Sequence, residues 1–201
     1  MNILAIDAST KCGYALRIAD PKKLILGSWK LKKTDEKVPP GILFVRLWKA
    51  ITALRIEHGI EAQPLQIVVE DASLNAIGGA ETKHLAESWV AIVEFYAATK
   101  GLPPAVAVGV NSWRSAFLGR SVAPKEIKDP KERRDWIKSE TIKHCERRGL
   151  KPENDNEADA VGILYWFMNG GVRVQEQRRA NKKAKTAAKR AQARINFGAP
   201  A

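Results

Sequence analysis

The stretch Ile3-Leu4-Ala5-Ile6-Asp7 is a run of apolar residues that ends in a carboxylate and continues into Ala8-Ser9-Thr10. An uninterrupted apolar run of this length predicts a strand that is buried on both faces, as in the centre of a parallel or mixed sheet. A carboxylate buried at the end of such a strand costs several kcal/mol unless a cation compensates it. The run therefore predicts a central strand whose last residue, Asp7, faces a positive charge.

Two further acidic residues follow the same pattern. Glu70 ends the apolar run Ile67-Val68-Val69, and Asp159 lies within the apolar segment 158–164. None of the three runs contains a Lys or Arg. Because hard divalent cations take oxygen ligands from carboxylates on separate elements, the three acids predict a magnesium-type site. Such a site indicates metal-assisted chemistry on phosphate.

The remaining periodicity predicts an α/β fold. We expect strands at about 2–8, 12–19, 24–32, 65–70 and 105–110, and helices at about 41–58, 83–99, 112–118, 132–148 and 155–168. This order predicts a mixed five-stranded sheet flanked by helices, with a hairpin-built edge and right-handed crossovers. Sites form at the carboxyl ends of central strands, so Asp7 and Glu70 would meet if the first and fourth strands were neighbours. With 201 residues, the chain fits one core domain, 1–170, and a tail, 171–201.

The charge of the chain is concentrated in that tail. The net charge is +12, of which the segment 172–195 carries +8. A strongly basic segment favours a polyanionic partner. Alanine-rich and basic, it could become helical along a phosphate backbone, with DNA contacts expected from Arg178, Arg179, Lys182, Lys183, Lys185, Lys189 and Arg190. The alternative is a disordered or solubilising tail.

The helix that contains Asp159 offers further oxygen ligands. Asn156 lies three residues before Asp159 and Asp155 lies four before it, so both share its helical face. Glu157, two residues before Asp159, points largely away. Either Asp155 or Asn156 can therefore join Asp159. Asp155 could alternatively be the N-cap of this helix.

The two cysteines, Cys12 and Cys145, show no zinc or disulfide spacing and indicate a reducing compartment. The sequence shows no basic leader and no apolar run long enough for a membrane span, so we expect a cytoplasmic, nucleoid-associated protein without membrane contact.

Three short blocks, in this order, resemble RuvC-like Holliday junction resolvases of the RNase H-like superfamily. They are the run from Ile3 to Thr10 followed by Gly13-Tyr14-Ala15, then Val68-Val69-Glu70, then Asp155-Asn156-Glu157-Ala158-Asp159-Ala160. The resemblance spans about residues 2–168. Gly119 and the pair Trp113-Arg114 are more similar to the phage and prophage branch of that family.

The resemblance implies a homodimeric endonuclease that uses Mg²⁺ or Mn²⁺, two ions per site, and cuts four-way DNA junctions by paired symmetric nicks. It implies Asp7, Glu70 and Asp159 as metal ligands. The family's fourth ligand falls at Asn156, which is neutral here. Asp155, one turn before Asp159, is the first candidate to replace it. One alternative is that Glu157 reaches the metal through a distorted helix start. The other is that one metal ion is held by fewer charges.

Basic side chains near the carboxylates would stabilise charge on the reacting phosphate, and Lys138, Arg114 and Arg120 are the candidates. Arg114 and Arg120 are also expected to contact DNA. In the loop after Glu70, Leu74 or Ile77 could act as an apolar wedge at the junction, or could pack on the domain. Two other functions stay open. One is a structure-specific DNA-binding protein with little or no catalysis, which the neutral Asn156 favours. The other is an actin-like kinase or tRNA-modification protein, since the segment from Ile6 to Thr10 also resembles its phosphate loop, although a second lobe does not fit the length.

Overall fold

A computed structural model describes residues 1–71 and 80–198, with side chains described in 1–71 and 83–187. Within that part of the chain, a single sheet has the order β3-β2-β1-β4-β5. β1 and β2, like β2 and β3, are antiparallel, whereas β1, β4 and β5 are parallel. The mixed five-stranded sheet is confirmed. The elements are β1 Asn2–Asp7, β2 Lys11–Ile18, β3 Lys23–Lys30, α1 Pro40–Glu57, β4 Leu65–Asp71, α2 Ala80–Thr99, β5 Val106–Gly109, α3 Val110–Leu118, α4 Pro130–Glu146, α5 Asp155–Met168 and α6 Gly171–Gly198.

Helices cover both faces of the sheet, and the alternation of side chains along each strand assigns residues to the two faces. Leu4 and Ile6 of β1 pack in a core with α1 and α2. Ile3 and Ala5 point the other way, into a core with α3 and α5. Since successive strand residues alternate between faces, Asp7 continues the Ile3 and Ala5 series and lies on the α5 side.

α5 packs closely on the sheet because the residues under it are small. Ala5 and Ala15 are fully buried in this core. Gly13, the β2 partner of Asp7, lies against the first turn of α5, where an added Cβ would be 2.0 Å from the carbonyl oxygen of Asn156. A side chain at position 13 would therefore push the start of α5 away from the end of β1.

On the other face of the sheet, the burial of α2 corrects the expectation that its apolar residues form a dimer interface. From the sequence, the helix at about 83–99 has a core face and is also a plausible dimer interface, because Trp89, Ile92, Val93 and Tyr96 offer more apolar surface than one small sheet needs. In the structure Trp89, Val93 and Tyr96 are buried against the chain's own core, and Ile92 is partly buried on it. Phe95 of this helix is a large apolar residue that is 62% exposed, and its ring lies 5.7 Å from that of Trp48.

α6 begins directly after α5, where Gly171 lies against the Trp166 indole so closely that an added Cβ would be 2.2 Å from it. Val172 packs on the α5 core, but beyond Gln175 the described side chains of α6 are exposed. The first residues of α6 thus belong to the core, although the sequence assigned them to the tail. None of the helices in the described residues is both long and apolar enough to span a membrane.

We predict that Gly13→Ala lowers the free energy of unfolding by about 1–3 kcal/mol, because the atoms it would meet are backbone atoms that cannot rotate away. Urea denaturation measures the change. Gly41→Ala is the matched control, since an added Cβ there meets nothing within 4 Å. The control variant should be neutral or more stable by up to about 1 kcal/mol. Equal effects at the two positions would contradict the close-contact explanation.

Candidate active site

The first two candidate ligands lie at the ends of neighbouring parallel strands. β1 and β4 pair in parallel with Ile6 opposite Val69, so Asp7 and Glu70 are at the same edge of the sheet. Val68 faces the α5 core, and the alternation places Glu70 on that side as well. The prediction that the first and fourth strands are neighbours is confirmed. The prediction that Asp7 and Glu70 meet depended on it.

The start of α5 is fixed by a reciprocal cap. The Asn154 side chain accepts a hydrogen bond from the Glu157 amide, and the Glu157 carboxylate accepts one from the Glu153 amide and one from the Asn154 side chain. The N-cap is therefore Asn154, and the expectation that Asp155 caps the helix is wrong. Glu157 is buried and both of its oxygens are engaged, so it does not reach the other carboxylates.

We call Asp7, Glu70, Asp155 and Asp159 the acidic site. Burial is the main cause that raises the pKa of Asp7 well above its usual value, followed by the charges of Glu70 and then Asp159. The pKa of Asp159 rises to about 7, again mainly through burial, although Arg114 opposes the rise. The carboxylates are thus near enough to repel one another. This cluster favours bound protons or cations.

Two basic side chains supply part of the missing charge. Arg114 lies 3.5 Å from Oδ2 of Asp159, while Oδ1 of Asp159 and Nε of Arg114 are buried without a hydrogen-bond partner among the described residues. Lys138 is 2.6 Å from Asp155. Burial is the largest single influence and disfavours the charged form of Asp155, but the hydrogen bond and the charge of Lys138, with smaller contributions from the backbone and Lys11, together lower the pKa of Asp155. Asp155, the replacement ligand favoured on helical spacing, is therefore ionised beside a lysine.

Metal binding at the acidic site depends on the spacing and on the chemistry of its carboxylates. Among the residues whose side chains are described, no three His, Cys, Asp or Glu are close enough together to hold a metal ion. The donor set nevertheless fits a hard cation, because it consists of carboxylate oxygens and one of them, Oδ1 of Asp159, is buried and has no partner in the part of the chain that the structure describes. Asn156 directs its backbone carbonyl at Gly13 and contributes at most a neutral amide.

A basic pocket of about 380 Å³ adjoins the acidic site, because two residues of its lining, Arg114 and Lys138, pair with Asp159 and Asp155. Its other polar lining consists of Asn111, Ser121, Arg133 and Arg134. Four cations around an open cavity suit a phosphate group or a nucleic-acid strand. α3 and α4 build this pocket, so the residues between the fifth strand and α5 supply basic groups.

Of the other predicted DNA-binding residues, Arg120 follows α3 and the rest belong to α6. The Arg120 guanidinium is 5.6 Å from the ring centre of Trp136. On α6, five of the basic side chains are exposed, namely Arg178, Arg179, Lys182, Lys183 and Lys185. Lys189 and Arg190 lie beyond the described side chains, and Leu74 and Ile77 fall in the segment 72–79, outside the described residues.

Trp113 is a site residue that the sequence pattern did not single out for a role. Its indole Nε1 donates a hydrogen bond of 2.7 Å to Oε2 of Glu70. Burial raises the pKa of Glu70, and this hydrogen bond partly opposes the rise. The sequence carries only one signal for such a role, the adjacency of Trp113 to the candidate Arg114.

The fold of the chain is similar to that of known proteins. A Thermus thermophilus RuvC structure aligns with a TM-score of 0.54 and 19% identity over 85% of this chain and 97% of that one. The structure of T. thermophilus RuvC in complex with Holliday junction substrate aligns with a TM-score of 0.54 and 17% identity over the same shares. No family model and no curated protein sequence matches the chain. The comparison shows that the chain has the RNase H-like fold of RuvC, as the sequence predicts.

We predict that the stability of the metal-free protein falls as pH rises from about 4 to about 7. An unfolded Asp titrates near about 3.9, whereas folded Asp159 titrates at about 7. Between these values the folded state binds the additional proton, so raising the pH favours the unfolded state. Asp159→Asn removes the part of this loss that comes from Asp159. In EDTA at about pH 8 the variant should melt several degrees above the wild type, and at about pH 5 the difference should be small.

Circular dichroism melting curves at both pH values measure the effect. Asp135→Asn, at an exposed position on α4, is the control and should change the melting temperature by similar amounts at both. A difference between wild type and Asp159→Asn that does not depend on pH would contradict the prediction.

Proposed function

We propose that this chain is a divalent-metal-dependent endonuclease that cuts four-way DNA junctions by paired nicks. The observation that carries the proposal is the convergence of Asp7, Glu70 and Asp159 at one edge of a RuvC-type sheet. A basic pocket beside the acidic site supports a phosphate substrate. RuvC of T. thermophilus has been solved with a Holliday junction substrate, which supports the same substrate class for this chain.

Asp7, Glu70 and Asp159 would hold Mg²⁺ or Mn²⁺, with Asp155 as the fourth carboxylate. Carboxylate oxygens on separate strands and a helix are the ligands such ions prefer, and two ions per site would match four carboxylates. When bound, the ions activate water and stabilise the charge on the departing oxygen of the phosphodiester. Burial and mutual repulsion disfavour the ionised forms of these carboxylates, since the pKa values of Asp7 and Asp159 are raised. A bound cation would offset this cost.

The chain's own cations have a second task in this proposal. Arg114 and Lys138 lie beside Asp159 and Asp155, where they can neutralise charge on the phosphate as it becomes five-coordinate. Arg133 and Arg134, which also line the basic pocket, would hold the adjoining DNA backbone. These contacts position the strand and do not read its sequence.

Paired nicks are most easily made by a two-fold symmetric dimer, which presents identical sites to two strands of a symmetric junction. α1 and α2 offer exposed apolar residues for such an interface, namely Ile42, Val45, Ile56 and Phe95. This surface replaces the buried face of α2 that the sequence pattern suggested.

A junction-binding protein with little catalysis is the second candidate. Asp155 and Asp159 already pair with Lys138 and Arg114, and no three potential ligands among the described side chains are close enough to hold a metal. Nicking of a synthetic four-way junction, with Mg²⁺ and then with EDTA, decides between the two. Cleavage in Mg²⁺ alone supports the nuclease, and junction binding without cleavage supports the second candidate. If the chain neither binds nor cuts the junction, both candidate functions are contradicted.

We predict that Asp7→Asn, Glu70→Gln, Asp155→Asn and Asp159→Asn each lower junction cleavage by more than about a hundredfold, while junction binding stays within a few-fold. The carboxylates hold metal, whereas basic residues hold the DNA. A gel assay of cleavage and a mobility-shift assay in EDTA measure the two properties.

Asn156→Ala is the matched control at the same helix start. It removes an uncharged side chain and should keep most of the activity. Loss of cleavage in Asn156→Ala with retention in Asp155→Asn would assign the fourth position to Asn156. Cleavage that survives any other substitution would remove that residue from the proposed metal site.

We predict that truncation after Gln177, which keeps the residues of α6 that pack on the core, weakens junction binding and makes its dependence on salt shallower. Each phosphate contact contributes about 0.9 to the slope of log affinity against log salt. The removed segment contains eight basic residues and no acidic ones. Fluorescence anisotropy over a salt series measures the slope.

A full-length variant in which those eight residues are glutamine is the control for chain length. It should match the truncation, since glutamine keeps helix propensity and removes only the charge. An unchanged slope in both variants would show that the segment does not bind DNA and would leave the grip to the basic pocket.

A further inference from the structure

Trp113 occupies a position that connects two parts of the acidic site. It lies on α3, which follows β5, and is 0% exposed. On one side its indole N–H donates to Oε2 of Glu70 at 2.7 Å. On the other side its ring lies on Gly162 of α5, where an added Cβ would be 2.6 Å from two ring carbons. The indole therefore fills the space between the end of β4 and α5.

The two contacts have different chemical consequences. An indole N–H is a donor only, so it can bind one oxygen of Glu70 and cannot compete for a cation. Its hydrogen bond fixes the orientation of that carboxylate and leaves the other oxygen, Oε1, for another ligand. The contact with Gly162 lies three residues after Asp159 on the same helix. The ring thus sets how far the helix segment that carries Asp159 stands from Glu70.

We infer that Trp113 is a positioning residue that presents Glu70 to the divalent cation and sets the spacing between Glu70 and Asp159. This inference rests on the proposed function, because it assigns the orientation of Glu70 a role in metal binding. A purely structural role would require only the volume of the ring. Because the N–H donates to a buried carboxylate, the N–H itself has a role in the site. Groups that hydrogen-bond to metal ligands orient those ligands in the same way in other metal sites.

Trp113→Phe tests the inference, since it keeps an aromatic ring and removes the donor. Calorimetric titration with Mn²⁺ in the absence of DNA should show about 10–100-fold weaker binding than the wild type. In cleavage assays, the Mn²⁺ concentration for half-maximal rate should rise by a similar factor, while the rate at saturating Mn²⁺ stays within a few-fold. Trp89→Phe is the matched control, because Trp89 is also buried but belongs to the core on the other face of the sheet. It should bind Mn²⁺ like the wild type.

A second measurement uses the wild-type side chain, in case Trp113→Phe does not fold. In protein labelled with ¹⁵N-tryptophan, the six indole N–H groups give separate signals. The signal that shifts on addition of Mg²⁺ should be the one that Glu70→Gln perturbs in the metal-free protein. If Mg²⁺ shifts no indole signal, or shifts one that Glu70→Gln leaves unchanged, the inference is overturned.

The outcomes separate this inference from the proposed function. If Trp113→Phe binds Mn²⁺, binds the junction and cuts it as the wild type does, this inference is overturned and the proposed function is not. A rate that stays low at saturating Mn²⁺ with unchanged affinity also overturns it, because that result indicates packing only. A wild-type chain that neither binds Mn²⁺ nor cuts overturns the proposed function and this inference with it.

Discussion

The arrangement of the acidic site depends on the close contact between β2 and the first turn of α5. Gly13 leaves room for the Asn156 carbonyl, with which any Cβ would collide. The small side chains of Ala5 and Ala15 let α5 approach the rest of this face of the sheet. The cap by Asn154 then fixes where the helix begins. Because Gly13 is the β2 partner of Asp7, the contact that seats the helix also brings Asp159 to the end of β1. Site geometry and core packing therefore share the same atoms.

That packing has an electrostatic cost. Several carboxylates approach one another in a site where burial already disfavours their charged forms, and the raised pKa values of Asp7, Glu70 and Asp159 express it. Arg114 offsets part of the charge. A fold optimised for stability alone would place neutral residues here. The conflict between stability and charge is the physical reason to associate the site with a cation and a phosphate.

α3 contributes more to the site than its nine residues suggest. Two consecutive side chains each contact a different carboxylate, Trp113 by its indole and Arg114 by its guanidinium. The same helix also lines the basic pocket. Elements without an acidic residue thus control how the carboxylates are oriented and what charge surrounds them.

The sequence by itself determined the strands, the five helices of the core domain and the strand ends at which Asp7 and Glu70 lie, because periodicity and buried acids are local signals. The three-block pattern also predicted the fold. Only the tertiary structure decided that Asn154 caps α5 and that the Glu157 carboxylate is engaged in that cap. It alone joined Trp113 to Glu70, 43 residues apart. Contacts of this kind depend on how helices seat on the sheet, and no local pattern encodes that distance.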